Sequence, residues 1–245
     1  MSEKQLNITH LYPDLLNLYG DRGNIATLCM RSAWRGIKAS VTEVVGDALP
    51  DLLKTDILFL GGGSDREQGL VCQKLLSMKD ELKAYAENGG VIVAVCGGYQ
   101  LLGNFYQMGD ETVPGLEILD IDTHRGEGRL IGNIVLECEI DGEIFRLVGF
   151  ENHGGRTDIK NETPLGKVLK GYGNDGKSGF EGVLKNNVFA TYLHGPLLPK
   201  NPQLADIILK RALIKKYGAD GAADFKPLSD GFEHEASRVM QERLL

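Results

Sequence analysis

Val91-Ile92-Val93-Ala94-Val95 is a run of five apolar residues, four of them β-branched. A strand with one wet face alternates polar and apolar residues. A run without alternation suits a strand covered on both faces, as in a parallel sheet between helices. Ile57-Leu58-Phe59-Leu60 repeats the pattern. Neither run approaches the length needed to span a bilayer.

The flanking segments extend this reading. Leu6 to Tyr12 reads as a strand, Asn24 to Arg35 as a helix, and Ala39 to Val45 as a second strand. Asp65 to Asn88 reads as helical, with room for a break near Met78, and Gly89-Gly90 stop it. This alternation predicts an α/β fold: a mainly parallel, open, doubly wound sheet flanked by helices. The middle of the chain differs. Ile134 to Ile140 alternates, Asp141-Gly142 is a turn signal, and Glu143 to Phe150 is a return strand. They predict an added antiparallel hairpin. Glycine-rich loops are expected from Glu151 to Gly182. Val188 to Leu193 reads as one more strand, and Pro202 to Lys216 and Phe232 to Leu245 as helices. With no internal repeat or linker, the 245 residues read as a single domain over 1–245.

Charge and cysteine usage narrow the function. A formal net charge of −7 with no basic run disfavours nucleic acid. The start, Met-Ser-Glu-Lys-Gln, lacks the apolar core of an export signal, so a soluble cytoplasmic protein is expected. Cys29, Cys72, Cys96 and Cys138 are scattered without a Cys-x-x-Cys pair, which argues against zinc and a disulfide framework.

Cys96 stands apart. It follows the buried Val91–Val95 strand, precedes Gly97-Gly98, and a helical turn begins soon after. A cysteine there lies at the carboxyl edge of the sheet, where open α/β folds place their sites. The helix start favours the thiolate, and the glycines allow a sharp turn. The Gly97 amide is a candidate oxyanion donor. The other three cysteines read as packing residues.

A cysteine nucleophile needs a histidine base, usually distant in sequence. His194 ends an apolar strand and is followed by Gly195-Pro196, which puts it on the same sheet edge. His153, in a polar glycine-rich stretch, is the runner-up. His10 and His234 read as ordinary packed or surface histidines, and His124 as part of a loop. Gly61-Gly62-Gly63 ends the other buried strand, so Gly62 or Gly63 is a candidate second oxyanion donor. Gly171 to Ser178 matches the phosphate-loop pattern letter for letter. Gly179 and Gly182 follow where that mechanism needs a helix, and the segment reads as a surface loop.

Several motifs in order carry a resemblance. Leu18-Tyr19-Gly20-Asp21-Arg22-Gly23-Asn24, Gly61 to Gln68, Val95 to Gln100, Gly149 to Arg156 and Thr191 to Pro196 span nearly the whole chain. Together they resemble class I glutamine amidotransferases of the cobyric acid synthase-like branch, and within it the GatD family of lipid II isoglutaminyl synthase glutaminases. The resemblance implies Cys96 as nucleophile and His194 as base. It implies Arg129 and Gln100 as contacts of L-glutamine; an arginine fork suits a carboxylate. It also implies no cofactor on this chain, and a Mur-ligase-like partner, MurT, that holds ATP and magnesium. That partner amidates D-glutamate of lipid II with the ammonia released here, giving a heterodimer active in peptidoglycan synthesis. Most class I members have an acid two residues after the histidine; here that residue is Pro196. The third catalytic group is then elsewhere in this chain, absent, or supplied by the partner, which is the expectation adopted. The rivals are amidation of another acceptor such as a cobyrinate, a stand-alone cysteine hydrolase, and a nucleotide-binding module.

Overall fold

A computed structural model describes residues 4–245, Tyr19 by its backbone alone. Residues 1–3 of the chain's start, and the Tyr19 side chain within its motif, lie outside the described residues. Among the described residues, no helix is long and apolar enough to cross a membrane.

The expected parallel sheet is present. Its strands are β1 (Gln5–Leu11), β2 (Lys38–Val44), β3 (Ile57–Leu60), β4 (Val91–Val95), β11 (Val183–Lys185) and β12 (Val188–Thr191). They lie in the order β11-β12-β4-β3-β1-β2, parallel throughout except for the edge strand β11. Every residue of β3, β4 and β12 is buried, which is why their sequences do not alternate. Helices α1 (Arg22–Ala33), α2 (Asp65–Leu76), α3 (Lys79–Glu87) and α6 (Pro202–Tyr217) accompany the sheet. The predicted long helix is two, separated at Ser77 and Met78.

One ionic clasp ties the helical layer together. The Arg31 guanidinium on α1 donates to both carboxylate oxygens of Asp206 on α6, at 2.6 and 2.9 Å. It also donates to both oxygens of Asp230, just before α7 (Gly231–Leu244), at 2.7 and 2.8 Å. Its side chain is only 3% exposed. Removing one partner from such a pair strands the rest, at a cost of about 3–5 kcal/mol.

The middle of the chain exceeds the expected hairpin. Its strands β7 (Asp122–Ile140) and β8 (Glu143–Asp158) form the long antiparallel pair of a second sheet, with β8 on the edge. On its other side β7 pairs with β5 (Phe105–Met108) and β9 (Gly166–Lys170). β6 (Glu111–Pro114) and β10 (Phe180–Glu181) complete the sheet. Residues 151–158, expected as loop, are therefore strand, and His124 lies in β7. The burial of β8 still alternates through Glu151, His153, Gly155 and Thr157. Those buried side chains are polar or absent, so hydropathy does not register them as a strand face.

Candidate active site

Three chain segments leave the carboxyl edge of the parallel sheet side by side. Gly61-Gly62-Gly63 follows β3, Cys96 follows β4, and His194 follows β12. Cys96 takes φ 52 and ψ −106, a left-handed conformation that a β-carbon makes costly. Its amide is held by the Thr191 carbonyl at 2.8 Å, and Gly98 donates to the Gly61 carbonyl at 3.1 Å. A β-carbon on Gly98 would meet that carbonyl and the Leu60 carbonyl at 2.9 and 2.6 Å. The second glycine after the nucleophile is thus needed for close approach, with its own φ in the ordinary range.

His194 is fixed where the two sheets meet. Its N–H donates to the Phe150 carbonyl at 2.7 Å, and the Phe150 N–H returns to the His194 carbonyl at 3.3 Å. His194 is therefore positioned by β8 as much as by the strand that delivers it. Gly62 shows how near it stands to Cys96. A β-carbon there would lie 3.1 Å from Cys96 Cβ and 3.3 Å from His194 Cε1.

The peptide groups of the glycine turn have separate partners. The Gly62 N–H donates to Asp21 Oδ2 at 2.8 Å, and the Gly62 carbonyl accepts from the Leu18 N–H at 2.9 Å. The Ser64 N–H goes to Glu67 Oε2 at 3.1 Å. Gly62 is thereby removed from the expected oxyanion donors, because its proton is already committed. The Gly63 N–H has no acceptor among the described residues. Its nitrogen lies 3.4 Å from where a Gly97 β-carbon would be. Gly63 lines the same cleft as Cys96, and the Gly97 N–H is hydrogen-bonded to the Cys96 thiol.

Burial favours the neutral form of both thiol and imidazole. Burial pushes the Cys96 thiol up to about 12, and the Asp21 charge adds to the rise; the Gly97 N–H and Arg129 oppose it. Burial, with His153 and Arg129, lowers the His194 imidazole to about 4. Burial thus works against the thiolate expected at a helix start. α4 (Gly97–Leu101) is only five residues long, and desolvation outweighs its dipole.

A cleft of about 660 Å³ opens from Cys96, a size suited to an amino acid. Gln100, Arg129 and His153 line it with Gln68, Asp65 and Tyr106. Arg129 is exposed, at an irregularity in the β7–β8 pairing. Asn152 holds it through its side-chain oxygen at 2.7 Å and its carbonyl at 2.8 Å. Gln100 accepts from Gln68 Nε2 at 2.8 Å and donates to Tyr192 Oη at 3.0 Å, which leaves one N–H for a ligand. His153 stacks on Tyr192, ring centroids 3.7 Å apart, with Nδ1 against the Gly155 carbonyl at 2.9 Å. The runner-up histidine thus lines the cleft without being the one beside Gly62. His10 packs edge-on against Phe59, within the body of the protein.

Asp21 and Gln68 were not singled out from sequence. Both sit inside the quoted motifs, and only their contacts reveal what they hold. The phosphate-loop pattern is a surface loop. Asp175 consumes the Lys177 and Ser178 amides at 2.8 Å each, and Glu151 consumes those of Tyr172 and Gly173 at 2.6 and 2.9 Å. Few amides are left there for an anion, and no helix follows.

Comparison with known proteins gives this geometry its family. The model of the CobB/CobQ-like glutamine amidotransferase domain matches residues 7–202. The GatD subunit of lipid II isoglutaminyl synthase from Staphylococcus aureus is 42% identical, over 98% of this chain and 96% of its own length. The chain belongs to the GatD family of glutamine amidotransferases. The GatD subunit from Streptococcus pneumoniae is 40% identical over 88% of this chain and 84% of its own. A glutamine amidotransferase from Thermotoga maritima shares the fold, with a TM-score of 0.52 at 13% identity; the match covers 97% of this chain and 94% of that one. The GatD family assignment covers both the parallel sheet with its nucleophile edge and nearly all of the second sheet.

Proposed function

We propose that the chain hydrolyses L-glutamine and passes the ammonia to a Mur-ligase-like partner subunit, which amidates D-glutamate of the lipid II stem peptide to D-isoglutamine. The observation that carries the glutaminase step is that Cys96, on a cleft lined also by Gly63 and Arg129, stands across Gly62 from the buried His194, both within about 3.3 Å of where a Gly62 β-carbon would be. The acceptor rests on similarity to two proteins named as lipid II isoglutaminyl synthase subunits.

In this reading Arg129 takes the α-carboxylate and the side-chain amide reaches Cys96. His194, neutral at rest, accepts the thiol proton as sulfur attacks the amide carbon. The Gly63 and Gly97 N–H groups receive the oxyanion. His194 then protonates the departing ammonia and activates water against the thioester. Pro196 offers no side-chain acceptor to orient the imidazole. The partner supplies that acid, which couples hydrolysis to assembly.

Glutamate release by the chain alone and by its complex with the partner tests this. The complex is expected to release glutamate and to transfer amide nitrogen to lipid II. Absence of glutamate release from both would overturn the glutaminase reading. Full activity of the isolated chain would overturn the partner's role in the triad.

A further inference from the structure

The Gly62–Gly63 peptide, whose N–H has no acceptor among the described residues, has its carbonyl gripped from behind. In a trans peptide the C=O and N–H point in opposite directions, so fixing one aims the other. The Gly62 carbonyl accepts from the Leu18 N–H at 2.9 Å. The Gly63 N–H of the same peptide therefore points away from Leu18. The preceding peptide is held at both ends as well. Its Gly62 N–H donates to Asp21 Oδ2 at 2.8 Å, and its Gly61 carbonyl accepts from Gly98 at 3.1 Å.

We propose that Asp21 and the Leu18 amide form a clamp that aims the Gly63 N–H at the Cys96 thiol, Asp21 being a positioning residue of the oxyanion hole. This inference rests on the glutaminase reading above. Asp21 is fully buried, and its second oxygen, Oδ1, has no hydrogen-bond partner. A buried carboxylate with one committed oxygen is costly for the fold, and a neutral side chain would spare that cost. Its placement answers a geometric need at the site. Burial raises it to about 7, so its charge appears beside Cys96 near neutral pH. The other charges acting on Cys96 are Arg129 of β7 and Asp65 of α2, both on the open side of the cleft. His194, after β12, is neutral in this range. The same segment that aims the donor thus also loads the nucleophile with an opposing charge.

Paired substitutions separate the two effects. Asp21→Asn keeps an oxygen for the Gly62 N–H and removes the charge. It is expected to keep kcat for glutamine within about threefold of wild type, and to shift the pH profile of Cys96 alkylation by iodoacetamide downward. Asp21→Ala removes the acceptor. It is expected to lower kcat at least about tenfold with KM little changed, since the oxyanion forms only after binding. Leu18→Pro deletes the other donor of the clamp and should lower kcat similarly, which keeps the test open if the alanine variant does not fold. Wild-type kcat in folded Asp21→Ala or in Leu18→Pro would overturn the clamp. So would an Asp21→Asn variant as slow as Asp21→Ala. Alkylation of Cys96, located by mass spectrometry, needs no glutamine turnover. An unchanged alkylation profile in Asp21→Asn would overturn the charge effect even if the glutaminase reading itself failed.

Discussion

In the parallel sheet, functional groups leave from strand ends; in the second sheet they sit along strands. Cys96 and the glycine turn follow directly on β4 and β3, where backbone hydrogen bonds leave little freedom. Arg129 and His153 lie within β7 and β8, on the wall of the cleft. The difference separates chemistry from grip. Groups at strand ends are buried, with their protonation set by desolvation; Arg129 is exposed and free to meet a charged ligand. His194 joins the two, because its backbone pairs with Phe150 of β8.

Removal of the nucleophile is the largest break. Cys96→Ala is expected to lower glutamine hydrolysis at least about 10³-fold, while circular dichroism and melting show an intact fold. Unchanged glutamate release would remove Cys96 from the chemistry. Gly62→Ala comes next. Its new methyl would press on Cys96 Cβ and His194 Cε1 at 3.1 and 3.3 Å. Small misplacements of reacting groups cost up to about 100-fold, so a tenfold to hundredfold fall in kcat is expected. Steady-state kinetics with wild-type values would mean that the turn gives way freely.

A substitution in the second sheet should show a different signature. Arg129→Ala removes a charged hydrogen-bond donor from the open end of the cleft. It is expected to raise KM for glutamine about tenfold or more, with a smaller effect on kcat. A fall in kcat at constant KM would instead place Arg129 with the strand-end groups.

The smallest effect is on stability against pH. Burial raises the carboxyls of Asp21 to about 7 and Glu181 to about 8. It lowers the imidazoles of His10 and His194 to about 4. A carboxyl that keeps its proton longer when folded loses stability as pH rises towards its raised value. An imidazole that sheds its proton when folded loses stability as pH falls from 6.5 towards 4. The two pairs oppose each other below 6.5. Between 6.5 and about 8 the two carboxyls act alone, so melting temperatures should be nearly level and then decline. Asp21→Asn should lessen that decline. Melting points that rise from pH 6.5 to 8 would contradict the balance.

Much of this was legible in the residues, for a physical reason. A strand buried on both faces has no alternation, and β3 and β4 therefore announced a parallel sheet. Cys96 and His194 were legible because each follows such a strand. The second sheet was read as a hairpin followed by loops, because the inward face of β8 carries Glu151, His153, Gly155 and Thr157. That face packs polar groups against one another, and hydropathy does not report a core of that kind. Gly62 and Gly63 were equivalent candidates in the sequence. Only the contact with Asp21 distinguished them.

By itself, then, the sequence determined the parallel α/β core, and that Cys96 and His194 follow strands of it to the same edge. Short apolar runs and glycine turns encode these locally. The tertiary structure decided which of Gly62 and Gly63 keeps its N–H uncommitted, how Arg129 is held, and that burial favours the neutral thiol and imidazole. Those properties depend on partners far apart in the chain and on the water that burial removes. No local pattern records either.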